Sequence, residues 1–283
     1  MFYKLYSRDN EVIQMKERFQ AFFDEFYNFA NDLSEKAGLV KKTSNKAGSY
    51  RNYLAFIFVL FEKNSNIKIS EPNSLETYQL IRAMVDNDTF KSYNKNEHYY
   101  PSATLKCYIA FLSDQRMREE MSYDMMINNA SEQDLIKEDN ENDVLNSEED
   151  NDKIKERRKK ILLNGRLIYQ RSIKEVILAK EKFEWKCEIN PKHETFIAAS
   201  NNKPYVEAHH VIPMAVQELY ESSLDISENI SCLCPTCHRK IHLAKSKEKG
   251  EMIEYLHSSR KEMYFTKNIN VKLDSLFNYY NIF

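Results

Sequence analysis

Glycine is nearly missing from this chain: 283 residues contain only Gly38, Gly48, Gly165 and Gly250, and no two are closer than ten positions. An average composition would supply roughly 20. A G-x-x-x-x-G-K phosphate loop or a G-x-G-x-x-G dinucleotide turn needs clustered glycines, because only residues without a Cβ let the backbone close on a phosphate. Both are excluded. Prolines number only six, so the tight turns that a β-sandwich or barrel consumes are also in short supply. A mainly α chain is expected, long enough for one large domain or two ordinary ones.

Charge divides the chain into three. Residues 1–130 hold 17 Lys/Arg and 17 Asp/Glu, residues 131–152 hold 1 and 10, and residues 153–283 hold 23 and 16. The formal net charge of −2 therefore conceals a run of −9 and a C-terminal half of +7. The acidic run has too little apolar surface to offset the entropy of ordering, which predicts a disordered linker over 131–152. It separates a helical recognition or interaction domain, 1–130, from a basic domain, 153–283, whose charge suits nucleic acid. The longest apolar stretch, Leu54–Phe61, is far short of the roughly 20 residues that a membrane span needs. No charged-then-apolar leader opens the sequence, and a cytoplasmic location with no membrane partner is expected.

In the first domain, Phe19, Phe22, Phe23, Phe26, Ala30 and Leu33 keep the spacing of three and four that lines one face of a helix. Further helices are expected near 49–62, 74–86 and 101–113, the last with Pro101 in its first turn. Tyr53-Leu-Ala-Phe-Ile57 and Tyr108-Ile-Ala-Phe-Leu112 nearly coincide; a duplicated helical unit and a chance match of two aromatic helices both account for this. Either way the aromatics read as core. In the second domain, KIKERRKK at 153–160 is expected to open a helix and another is expected over 170–183. A short strand at Thr195–Ala198, a turn, a strand at Tyr205–Ile212, a loop, and a helix from Pro235 follow. Helices near 250–262 and 271–281 complete the chain.

Four of the five cysteines and five of the seven histidines crowd into 187–242. In a reducing compartment that crowding points to metal before disulfide. Cys234-Pro-Thr-Cys237 is a knuckle that lets two thiolates chelate one tetrahedral Zn²⁺. Cys187 is the expected third ligand and His193 the fourth. Cys232 competes, although a C-x-C beside the knuckle would crowd one ion. His238 and His242 stand one turn apart on the helix after the knuckle and face the same way. His209 and His210 are neighbours on a strand and face opposite sides. Three imidazoles, His209, His238 and His242, can then hold a hydrolytic divalent cation while His210 stays free to take a proton from water.

Glu207-Ala-His209-His210-Val-Ile-Pro213, then Asn229, then Leu233-Cys-Pro-Thr-Cys-His238-Arg-Lys-Ile-His242 resembles the HNH, or ββα-metal, His-Me finger, nucleases of bacterial restriction type. The resemblance implies a small α+β ββα core in the C-terminal domain, beside the helical N-terminal domain read from the periodicity above. It implies that His210 is the general base and that His209, His238 and His242 face the catalytic Mg²⁺ or Mn²⁺, with His242 binding metal or phosphate. Asn229 would orient the loop that carries the base, and Glu207 would hydrogen-bond a metal ligand. One departure stands out: Cys187-x5-His193 replaces the C-x2-C common in the first zinc half-site. The reading is a divalent-metal-dependent DNA endonuclease in restriction or anti-phage defence. Arg157, Arg158, Lys159, Lys160, Arg239 and Lys240 would meet phosphates of a duplex. One cation and one base make one cut, so a double-strand break needs a homodimer, a partner of a defence system or successive nicks. A mobile-element nickase is the alternative within the same chemistry. A zinc-stapled binding module without catalysis would lack a ligand or the base, and here the whole set is present.

Overall fold

The computed structural model describes residues 2–36, 45–128, 154–163 and 165–282. The expected linker, 131–152, lies outside them. Two compact units result, Met1–Gln115 and Arg116–Ile282, and the mainly α class with a small C-terminal α+β element holds. Among the described residues, no helix is long and apolar enough to cross a membrane.

The first unit is built from α1 (Asn10–Arg18), α2 (Gln20–Lys36), α3 (Lys46–Ser65), α4 (Leu75–Ala83), α5 (Asp88–Asn96) and the first half of α6 (Tyr100–Asn128). Most of the predicted aromatic stripe is its core: Phe22, Phe23 and Phe26 of α2 meet Phe58 of α3 and Tyr108 and Phe111 of α6, with ring centroids 5.3–6.4 Å apart, while Phe19 ends α1 instead and, like Leu33, is half-buried. Residues Leu54–Phe61 are buried on every side, which makes α3 the central helix, since an all-round apolar helix must be covered all round. Asn45 caps α3 by accepting from the Gly48 amide at 3.2 Å. A Cβ at Gly48 would fall 2.3 Å from that same side chain. Both near-identical pentapeptides lie on buried helices, α3 and α6.

In the second unit the expected helix at 153–160 does not form. Residues 154–159 are irregular and Lys160–Leu163 (β1) pairs antiparallel with Arg166–Tyr169 (β2). The reason lies in the period: Ile161 and Leu163 alternate inward against the buried cluster that includes Ile168 and Val176, a spacing of two that a helix cannot present on one face. Gly165 turns this hairpin with φ of +81°, a conformation that costs glycine little. Helix α7 (Ile173–Lys182) follows, capped by the Ser172 hydroxyl on the Glu175 amide. The core sheet pairs β3 (Glu207–His210) with β4 (Ile230–Leu233), setting His209 opposite Ser231 and His210 opposite Ile230. Next come α8 (Pro235–Leu243), α9 (Ser246–Ser258), α10 (Lys261–Thr266) and α11 (Leu273–Tyr279).

Helix α6 runs 15 residues beyond its expected end at position 113. Two side chains explain the extension. Arg171, 1% exposed at its side chain, reaches Glu120 at 2.5 Å and Asp124 at 3.1 Å, carboxylates one turn apart. At the helix end, the buried Asn128 amide accepts from the Ala208 N–H at 2.5 Å and donates to the Ala208 carbonyl at 3.1 Å. It completes the backbone bonding of β3 on the side where, among the described residues, no further strand pairs with it. The expected strand at Thr195–Ala198 reduces to a single bridge between Ile197 and Pro204.

Candidate active site and zinc centre

The structure brings together the four residues expected to hold zinc. Ligand atoms of Cys187, His193, Cys234 and Cys237 all lie within 4.8 Å of one another. His193 Nδ1 sits 3.4 Å from Cys234 Sγ and 3.5 Å from Cys237 Sγ. Tetrahedral zinc, with Zn–S about 2.3 Å and Zn–N about 2.05 Å, places such ligand pairs about 3.5 Å apart. The local sequence builds the knuckle: Cys234 is the N-cap of α8, its sulfur accepting from the Cys237 amide at 3.4 Å, with Pro235 in the first turn. Burial and the neighbouring Cys187 and Cys234 sulfurs push the Cys237 thiol far up. Burial also opposes ionisation of Cys187, but the backbone N–H groups of Cys234 and Asn190, the His193 side chain and the Ile189 N–H together outweigh it and bring that thiol below its ordinary value. Three buried sulfurs this close fit a cation, and the cluster could hold structural zinc. Cys232 stands apart from it. It faces Ala208 across the sheet, and burial raises its thiol to about 12, as befits a small apolar core residue.

Behind this centre Arg260, 3% exposed at its side chain, makes a two-pronged bond to Glu188 at 2.7 Å and 2.7 Å. Its remaining donors reach the carbonyls of Glu228, Ile230 and Leu256 at 3.0–3.2 Å. Arg260 ties the segment beside Cys187 to β4 and α9, a role with no signal in the sequence around it.

His209, His238 and His242 form the second cluster, again with ligand atoms within 4.8 Å. Ring centroids are 5.1, 4.9 and 5.0 Å apart, a nearly equilateral triangle. The Nε2 atoms of His238 and His242 face each other at 3.3 Å, where two nitrogens on one ion at about 2.1 Å would sit roughly 3.0–3.4 Å apart. Burial, then repulsion from His242 and His238, holds His209 well below its ordinary value. Loss of water around the His242 ring, followed by His238, lowers His242 to about 3. Neutral imidazole is the form that ligates a metal. Glu207 accepts from His238 Nδ1 at 2.5 Å, and that bond is the main cause of its lowered carboxyl value. A carboxylate on Nδ1 aims the His238 ring and raises its basicity as a ligand. Tyr280, buried and unanticipated, places its hydroxyl 2.7 Å from His209 Nε2 and 3.1 Å from the His210 and Val211 carbonyls.

His210 leaves β3 on the opposite face. Its Nε2 lies 2.9 Å from Oδ1 of Asp225, a buried carboxylate that sequence reasoning did not single out. The available signal was a lone Asp between Leu224 and Ile226 in a chain segment that is otherwise buried. Asn229 is fully buried and knots the turn after His210. Its amide donates to the Ile212 and Leu224 carbonyls at 3.0 and 2.9 Å, while its oxygen accepts from the Ile212 N–H and the Tyr264 hydroxyl, both at 2.9 Å.

The basic residues divide. Arg239 and Lys240 are exposed on α8, with Lys240 3.3 Å from Glu248. Arg157 is exposed and donates to the Glu221 carbonyl at 3.2 Å, whereas Arg158 is half-buried with Nε 3.7 Å from Asp225. Lys159 is exposed; Lys160 pairs with Glu218 at 2.5 Å.

A strand pair, a helix bearing two histidines and a third histidine on the strand make a ββα-metal unit, and residues 191–243 match the HNH endonuclease family. The chain carries an HNH endonuclease domain. A stretch of 71 residues, 25% of this chain, is 38% identical to the type IV methyl-directed restriction enzyme EcoKMcrA of Escherichia coli (strain K12), and the match spans 23% of that protein. No solved structure matches significantly.

Proposed function

We propose that the chain is a divalent-metal-dependent DNA endonuclease of restriction type, acting in defence against foreign DNA. The observation that carries the reading is the triangle of His209, His238 and His242 on one side of β3 with His210 on the other. A cation held by the three imidazoles would polarise the scissile phosphate and stabilise the leaving oxygen. Three nitrogen donors suit a transition ion such as Mn²⁺ better than Mg²⁺, which prefers oxygen ligands. His210 takes the proton of the attacking water, Asn229 keeps the strand end that bears it in register, and Glu207 keeps the His238 ring aimed. Arg239 and Lys240, with the basic stretch at Arg157 and Arg158, meet phosphates on either side of the cut, positioning the duplex without reading its sequence.

The relative's methyl-directed action makes base modification the variable to test. Methylated and unmethylated plasmids are incubated with Mn²⁺, Mg²⁺ or EDTA beside His210→Ala. Cleavage by the wild type with metal and by neither control supports the reading. Equal cleavage in EDTA, or by His210→Ala, overturns it.

A further inference from the structure

We infer that Asp225 is the positioning residue for His210: it holds the imidazole in the tautomer and orientation from which it takes a proton from water. The inference deepens the function proposed above and rests on it. Asp225 is 1% exposed at its side chain, and both carboxylate oxygens are engaged. Oδ2 accepts from the Ser172 backbone N–H at 2.6 Å, and Oδ1 faces His210 Nε2 at 2.9 Å. Arg158 Nε lies 3.7 Å from Oδ2, on the side away from the histidine.

The segment around the carboxylate is fixed from several directions. The Asp225 amide donates to Ser223 Oγ at 3.2 Å. On the preceding residue, the Leu224 amide donates to Gln217 Oε1 at 2.7 Å and its carbonyl accepts from Asn229 at 2.9 Å. Ser172 is itself held, as the capping residue of α7. The carboxylate therefore cannot turn away without stranding a buried N–H.

An ionised carboxylate only accepts hydrogen bonds, so the nitrogen facing it must carry hydrogen. His210 is thereby set as the Nε2–H tautomer, and Nδ1 keeps the lone pair. In the hydrolytic step an O–H bond of water breaks and its proton goes to Nδ1. The water oxygen forms a bond to phosphorus, and the bond from phosphorus to the leaving oxygen breaks, its electron pair staying on that oxygen, which takes a proton from solvent. The imidazolium so formed has the Asp225 charge 2.9 Å from its other nitrogen. The arrangement applies the principle of a serine-protease triad, where the Asp keeps the His in its working tautomer and offsets the charge that develops. Here the nucleophile that gives up its proton to the histidine is a water, not a hydroxyl side chain.

Asp225→Asn separates this role from a packing role. The Ser172 N–H, being a donor, obliges the amide oxygen to stay where Oδ2 was. The NH₂ group then faces His210 Nε2 and drives the ring proton to Nδ1, which destroys the base. In zinc-loaded protein with Mn²⁺, kcat on plasmid should fall on the order of 10²- to 10⁴-fold. KM, DNA binding and zinc content should stay as in the wild type. Nitrogen-15 NMR of histidine-labelled protein reads the tautomer directly: Nε2–H at His210 in the wild type and Nδ1–H in Asp225→Asn. Cleavage by Asp225→Asn within threefold of wild type, or an Nδ1–H tautomer in the wild type, overturns the inference. If the variant does not fold, the wild-type spectrum alone decides. A wild type that cuts no DNA sinks the proposed function instead, and the two failures are thus distinguishable.

Discussion

At the scale of single residues, the site turns on the alternation of one strand. His209 and His210 are adjacent in sequence, yet β3 sends one ring to the imidazole triangle and the other to Asp225. Separate roles follow, and so do separate mutants. His210→Ala should lower the cleavage rate about 10²- to 10⁴-fold while zinc content and DNA affinity hold, measured as conversion of supercoiled plasmid to open circles. A second residue prediction concerns Lys180, whose ammonium burial pushes down to about 8 from an ordinary value near 10.4. Below pH 8 the fold must carry that charge at a cost; above about 10.4 the lysine is neutral in both states and the cost is gone. Lys180 therefore returns stability, on the order of 3 kcal/mol, as pH rises through that window. Lys180→Met should lose this gain, and parallel denaturation curves for the two proteins from pH 8 to 10 would contradict the assignment.

Among elements, α8 and the strand-to-strand connection do the most. Helix α8 is capped by Cys234, one of the four residues that could hold zinc, and carries Cys237 and His238 in its first turns and His242 in its last. The centre that orders the helix start thus also sets the position of two imidazoles. Cys237→Ala should release the zinc and lower the melting temperature of the second unit, because binding energy in such a staple is folding energy; metal content and near-ultraviolet circular dichroism measure both. Asn229 plays the corresponding part in the connection. Replacing it with alanine leaves the Ile212 N–H and two carbonyls without their partner. Each buried group left unpaired costs about 1–3 kcal/mol, so Asn229→Ala should destabilise the second unit well beyond an average core substitution, as urea denaturation would measure. Helix α8 was readable in advance from spacing, whereas the part expected of Asn229 came from the family resemblance. The C-terminal half of α6 was not readable, since its helical state depends on Arg171, some fifty positions away. The basic stretch at 154–159 was misread for a related reason: its charge pattern suits a solvated helix, while the two inward residues that decide the matter lie just after it, in β1.

For the whole molecule, charge and stoichiometry govern behaviour. The net −2 is a balance between a −9 run at 131–152 and a +7 C-terminal half. Deleting 131–152 would raise the formal charge to +7, and DNA affinity at low salt should increase, with the gain fading as salt screens it. Unchanged binding isotherms would dispose of that idea. Among the described residues each chain has one histidine triangle and one His210–Asp225 pair, the base of the proposed reaction. Open circles should therefore precede linear DNA in a time course, with linear product rising steeply with protein concentration.

The amino-acid order by itself determined the chemistry: which cysteines and histidines belong together, which histidine stays apart, and that helices carry the rest. Those facts are local, set by the 2-residue and 3.6-residue periods of strand and helix and by metal-ligand spacing. Only the tertiary structure decided what stands behind the ligands. Asp225 on His210, Tyr280 on His209, Arg260 beside the zinc centre and Asn128 on β3 come from segments 15 to 80 positions away. No periodicity records such contacts, because a buried polar group is satisfied by whichever distant residue the packed fold brings within hydrogen-bonding distance.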